Sequence, residues 1–157
     1  MLRFGVKVCG MTRPEDTLKA AELGAQMIGL IFYEKSPRYV SLGQAREISE
    51  VLDTAIIRVG VFVGENCATM IEVAQSVGLN RLQVHGDLTN NDIERIHQAG
   101  LSVVQSFHVD SMADYDKVFA SKADFVMLDN ATKNKPGVTG QSFDWAKRWS
   151  RSIDRKK

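Results

Sequence analysis

The sequence predicts a parallel α/β fold assembled from repeated βα units. Six short apolar runs rich in strand-forming residues end near residues 9, 32, 63, 85, 107 and 128, intervals that each fit one strand plus a crossover helix. The stretches between the runs are amphipathic and carry helix start and stop signals. Polar residues gather where the strands end, which is where parallel sheets and barrels alike place their chemistry.

Taken in order, the first strand is Val6–Cys9, and Thr12-Arg-Pro-Glu15 after it reads as a capping box that opens a helix. Leu18, Ala21 and Ala25 give that helix a stripe facing the sheet. The second strand is Met27–Phe32, and Ser41-Leu-Gly-Gln44 reads as a second capping box. Ile56–Val63 forms the third strand, covered by a helix whose inward face is Met70, Val73, Ala74 and Val77. Arg81–His85, Ser102–Phe107 and Asp124–Leu128 complete the set, while Gly24, Gly78 and Gly100 fall where left-handed residues end helices. Alternation of this kind implies one parallel sheet, either doubly wound or closed into a barrel, and periodicity does not choose between them.

Composition narrows the class. At 157 residues, with 44% hydrophobic and 25% charged residues, the chain has the content of an ordinary globular domain with a single core. Twenty Lys and Arg against nineteen Asp and Glu leave a net charge of +1, so no global field draws it to nucleic acid or to an acidic membrane. Cys9 and Cys67 cannot build a disulfide framework and neither lies in a motif of zinc spacing, which suits a reducing compartment. The first residues lack a signal-peptide apolar segment, and the stretch from Met27 to Tyr33 is too short to span a bilayer. A cytoplasmic protein with neither nucleic-acid nor membrane partners is expected. No GxGxxG follows the first strand and no GxxxxGK[ST] occurs, against dinucleotide or nucleoside-triphosphate binding.

Several residues at strand ends are chemically suggestive. Cys9 lies where a strand turns into a loop before a helix, a setting whose positive potential favours a thiolate, although a lone cysteine is as readily a small buried filler. Asp129 is delivered by the apolar run Phe125-Val-Met-Leu128 and suits a general acid, the alternative being an Asx turn with Asn130. Arg38, presented by Ser36-Pro37, could grip a carboxylate bidentately or be a solvated surface charge. Gln83 and His85, two apart on one strand, point to the same side, and His85 alone would pass for a structural histidine. Gly137-Val-Thr139-Gly140 is flexible enough to bring backbone N–H groups to an anion. Cys67 and His97, on predicted helices, read as structural.

Together these segments resemble phosphoribosylanthranilate isomerase, a family of (β/α)8 TIM-barrel enzymes of tryptophan biosynthesis. Val6-Lys-Val-Cys9-Gly-Met-Thr12 is similar to the family's K-[IV]-C-G-[LI]-T. Ser36-Pro-Arg38, Val59-Gly-Val-Phe62, Gln83-Val-His85-Gly86, Leu128-Asp129, Gly137-Val-Thr139-Gly140 and Phe143-Asp-Trp145 follow its other signatures in order. The resemblance implies an Amadori rearrangement of N-(5'-phosphoribosyl)anthranilate by two proton transfers, with no metal or organic cofactor. It implies Asp129 as general acid, opening the ribose ring to a Schiff base, and Cys9 as general base at C2′. It places Arg38 near the anthranilate portion, and it puts Gln83, His85, Gly137, Thr139 and Gly140 among the substrate-binding residues.

The family's barrel has eight units, whereas only 29 residues follow Leu128. The expectation is therefore an incomplete barrel of about six βα units over residues 1–145, without strands seven and eight and the phosphate-binding loops that accompany them. Ala146 to Lys157, with six Lys or Arg and one Asp, reads as a basic helix end or tail, and Val138 stands where the family has a second glycine. Strands one and six would then be edges, open to self-association or to a complementing chain. Loss of the phosphate site would weaken binding and turnover. Two other readings stand beside the isomerase: an inert barrel fragment serving as an assembly or partner-binding module, and a flavodoxin-like open-sheet binding protein.

Overall fold

The computed structural model describes residues 5–108 and 112–129. Its elements alternate without exception: β1 (Lys7–Cys9), α1 (Pro14–Glu22), β2 (Met27–Ile31), α2 (Leu42–Glu50), β3 (Ile57–Val63), α3 (Cys67–Val77), β4 (Arg81–His85), α4 (Asn90–Gln98), β5 (Ser102–His108), α5 (Met112–Ala120) and β6 (Phe125–Asp129). All neighbouring strands pair in parallel, in the order β1-β2-β3-β4-β5-β6. A doubly wound sheet reverses its strand order at a switch point, and this order never reverses. The six strands form a curled half-barrel, which settles the choice that periodicity left open.

Side chains alternate across the sheet. Ile28, Leu30, Phe62, Leu82, Val84 and Val103 face the helices and pack with Ile48, Met70, Ala74, Val77, Ile93 and Ile96 into one core. Burying each large side chain of this kind contributes about 1.5–3 kcal/mol relative to leaving it exposed. Their strand neighbours point to the concave side, so Lys7, Cys9, Gln83, His85, Ser106 and Asp129 share the inner face.

Local chemistry explains the helix ends. Ser41 and Gln44 form the expected capping box on α2. Gly78 caps α3 with φ of 75°, and Gly24 and Gly100 also adopt positive φ. Arg58 reaches from β3 to the carbonyls of Ser49 and Leu52, at 3.1 and 2.8 Å, and so satisfies the exposed end of α2. Two further caps escaped the sequence reading: Thr89 with Asp92 on α4, and Asn66 on α3.

The first helix differs from expectation. Thr12 and Glu15 form no capping box; the N-cap of α1 is Arg13, which makes no side-chain cap bond. Pro14 occupies the first helical turn and forces the residue before it into an extended conformation, here φ −135° and ψ 140°, so the helix starts one residue later than Thr12 could cap. The inward face shifts accordingly. Thr17 is fully buried, Ala20 and Ala21 pack on the core, Leu18 is 40% exposed, and Ala25 lies beyond the helix end. No helix among the described residues is long and apolar enough to cross a membrane.

Candidate active site

β1 brings Cys9 to the carboxyl end of the sheet, half-buried on the inner face. Opposite it in register stands Gly29, and the pairing requires a glycine: a Cβ at that position would lie 2.8 Å from the Cys9 Sγ and 3.1 Å from the Lys7 Nζ. Sulfur and ammonium are thus both about 3 Å from one point, which sets a cation beside Cys9. The loop after β2 folds back over the same spot. Arg38 donates through Nη1 to the Cys9 carbonyl at 3.0 Å, and its guanidinium packs on Gly10, whose φ of 82° and lack of a side chain allow the approach. The Ser36 hydroxyl accepts from the Arg38 N–H at 3.2 Å and shapes the turn that presents Arg38.

A second cluster forms where β4, β5 and β6 end. His85 Nδ1 lies 3.4 Å from Asp129 Oδ2, both side chains being largely buried. Its Nε2 lies 2.9 Å from the Gln83 Nε2 and 3.5 Å from the Ser106 hydroxyl. Gln83, only 4% exposed, also directs its amide nitrogen toward the Met127 sulfur at 3.8 Å. Burial pushes the His85 imidazole below its usual value of 6.5, Asp129 opposes that shift and Lys7 adds to it. The imidazole is therefore held neutral, with one nitrogen a donor and the other an acceptor.

The sequence-predicted residues accordingly fall into two groups on one face. Cys9 and Arg38 meet at the β1 side; Gln83, His85 and Asp129 meet at the β6 side. Gly137, Thr139 and Gly140 lie outside the described residues. Lys7 and Ser106 were missed. The signal for Lys7 was its position two residues before Cys9 on the same strand face, and for Ser106 its register opposite His85. Cys67 is structural as expected, buried at the start of α3 with its thiol pushed up by burial. His97 bonds Asp124 at 2.9 Å. Among the described residues no group of three or more His, Cys, Asp or Glu is placed to hold a metal ion.

Comparison with known proteins gives this geometry its context. The family model for N-(5'-phosphoribosyl)anthranilate isomerase matches residues 6–153. The chain is 40% identical over 141 residues to the isomerase of that name from Rubrobacter xylanophilus, and 41% identical over 140 residues to that of Pseudomonas savastanoi pv. phaseolicola; each match covers 89% of this chain and 68% of the relative. Among solved structures, phosphoribosyl anthranilate isomerase from Thermotoga maritima superposes with a TM-score of 0.79 at 35% identity, covering 91% of this chain and 69% of that one. A phosphoribosyl anthranilate isomerase in complex with reduced 1-(o-carboxyphenylamino)-1-deoxyribulose 5-phosphate gives 0.74 at 36% identity, covering 81% and 65%. The chain thus spans about two thirds of the length of these relatives. Sequence, sheet order and relatives agree that this chain belongs to the N-(5'-phosphoribosyl)anthranilate isomerase family, enzymes of tryptophan biosynthesis.

Proposed function

We propose that this chain catalyses its family's rearrangement, converting N-(5'-phosphoribosyl)anthranilate to 1-(2-carboxyphenylamino)-1-deoxyribulose 5-phosphate, with Asp129 as general acid and Cys9 as general base. The observation that carries the reading is the gathering of Cys9, Arg38, His85 and Asp129 at the carboxyl ends of parallel strands, on the one face that the helices leave uncovered. Asp129 gives its proton to the ribose ring oxygen; the C1′–O bond breaks and the nitrogen lone pair forms the Schiff base. The Cys9 thiolate then takes the C2′ proton, and the freed electron pair moves into the C1′–C2′ bond to give an enolamine that tautomerises to the ketone. Both steps are proton transfers and the sugar is rearranged without net oxidation.

Lys7 sets a cation on the inner face beside Cys9. Arg38 offers a planar fork suited to the anthranilate carboxylate, and Gly137, Thr139 and Gly140 would bring backbone N–H groups to the substrate. We assign the substrate loop and barrel to residues 1–145 and a basic end to 146–157. A small-molecule biosynthetic enzyme with two free cysteines fits the cytoplasm.

The sheet edges favour a second, compatible reading, in which the chain works joined to another. Around β1, Val6 and Leu23 are exposed and border a groove of about 440 Å³ lined also by Val8, Ala20 and Ala25; Phe119 on α5 and Phe125 and Val126 on β6 are exposed as well. Pairing of these edges with a second copy or a complementing chain would cover them. The test is loss of substrate fluorescence on adding purified chain, over a range of protein concentrations, with Asp129→Asn as control. Turnover that vanishes in the control supports the isomerase, and a rate that rises faster than concentration supports assembly. No rate above the control at any concentration refutes catalysis by this chain.

A further inference from the structure

The His85 cluster invites a role beyond lining the site. Its Nε2 faces the amide nitrogen of Gln83 at 2.9 Å, a donor, so the lone pair belongs on Nε2 and the proton on Nδ1. Nδ1 in turn faces Asp129 Oδ2. At 3.4 Å that contact is longer than a mature N–H···O bond, as catalytic hydrogen bonds often are before substrate binds. The Gln83 amide nitrogen also lies 3.8 Å from a weak acceptor, the Met127 sulfur, while its buried carbonyl oxygen has no hydrogen-bond partner among the described residues.

We propose that His85 is a positioning residue for Asp129, fixed by Gln83 as the neutral Nδ1–H tautomer, and that neither side chain is primarily a substrate contact. This deepens the isomerase reading and rests on it. With Nδ1–H donating to Oδ2, the proton that Asp129 gives up is carried on its other oxygen, Oδ1. When that O–H bond breaks and the ring oxygen gains the proton, the charge left on the carboxylate meets an N–H already aimed at it. The imidazole must stay neutral for this to work, because an imidazolium would pair with the carboxylate and oppose its protonation. The charged groups that act on His85 are Asp129 from β6 and Lys7 from β1, and the Ser106 hydroxyl from β5 also faces its ring among the described residues. Burial and Lys7 both favour the neutral ring.

The experiment is a nitrogen-15 spectrum of the histidines of the full chain through a pH titration, with His97, bonded to Asp124, as internal reference. The expected result is a neutral His85 at neutral pH with its proton on Nδ1. In Gln83→Glu the donor becomes an acceptor of the same shape, so the ring gains a second proton and its midpoint rises by at least about one pH unit. A wild-type His85 protonated on Nε2, or doubly protonated at neutral pH, overturns the proposal without any variant, and so does an unchanged midpoint in a folded Gln83→Glu protein. The spectrum needs no turnover. A correct tautomer in a chain without isomerase activity would therefore count against the isomerase reading and not against this one, and the reverse pattern would do the opposite.

Discussion

The interior strands and the edge strands of this sheet have different tasks. β2 to β5 are paired on both sides and supply most of the buried core: Ile28, Leu30, Val59, Phe62, Leu82, Val84 and Val103 are all at most 1% exposed. Among the described residues β1 and β6 each have one neighbour, and β6 exposes Phe125 and Val126, yet these two strands hold Cys9 and Asp129, the groups proposed as base and acid. Four strands lie between Cys9 and Asp129 in the sheet order, so the proposed site exists only because the sheet curls. Stability is thus concentrated at the centre and the proposed chemistry at the margins, and mutations in the two regions should be separable.

The sharpest separation comes from one change in each region. Phe62→Ala removes a ring stacked on Phe32 with centroids 5.2 Å apart and leaves a cavity in the centre. A loss of about 3–5 kcal/mol is expected in urea unfolding, enough to unfold a marginal domain. Asp129→Asn should instead leave the unfolding midpoint within about 1 kcal/mol of wild type while lowering isomerase turnover by about 10²–10⁴-fold. If the acid substitution proved the more destabilising of the two, the division between centre and margin would be wrong.

Gly29→Ala joins the regions. Its methyl group would meet the Cys9 sulfur at 2.8 Å and the Cys9 backbone at 3.1 Å, so β1 must move away from β2. A cost of about 1–3 kcal/mol is expected from overpacking, together with slower alkylation of Cys9 relative to wild type. Smaller still is the effect of pH. His85 is held below its usual 6.5 in the folded chain, so the unfolded chain binds more protons as pH falls below that value, and stability is fully present above 6.5 and declines beneath it. The decline amounts to at most about 1.4 kcal/mol for each pH unit of lowering, and it should flatten in His85→Asn when unfolding is followed between neutral and mildly acidic pH.

A change confined to the surface completes the series. Thr89→Ala removes a hydroxyl that accepts from the Asp92 N–H at 3.1 Å and caps α4. The expected loss is about 1 kcal/mol, measured by thermal unfolding, with Cys9 reactivity unchanged.

Much of this arrangement was legible in the sequence because parallel βα units write their period into the chain. All six strands lie where the apolar runs placed them, and the shifts are single residues: β1 begins at Lys7 rather than Val6, and β6 runs to Asp129 rather than starting at Asp124. In the sequence Asp124 reads as a strand residue because it abuts an apolar run. Its carboxylate instead accepts from the Val103 N–H at 2.7 Å and bonds His97. Burial opposes its ionisation, but those bonds outweigh burial and hold it below the usual carboxylate range. The start of α1 was misread because the capping-box pattern ignores the constraint that Pro14 places on Arg13.

Within the site, the residues at strand ends were legible one by one, while their partnerships were not. Nothing local in the sequence links Arg38 to the Cys9 carbonyl, 29 positions away, or His85 to Asp129. Those contacts arise from register and curl, properties of the assembled sheet. Lys7 was passed over for the same reason: a lysine in a short strand looks like a solvated charge until the strand's inner face is known.

Native-state hydrogen exchange tests the division between centre and margin most directly. Amides of β3 and β4 are expected to exchange only through global unfolding, with protection that tracks the stability measured in urea, while those of β1 and β6 exchange through local opening at much lower free energy. Equal protection of all six strands would contradict it, and would mean that the margins holding Cys9 and Asp129 are as firmly closed as the core.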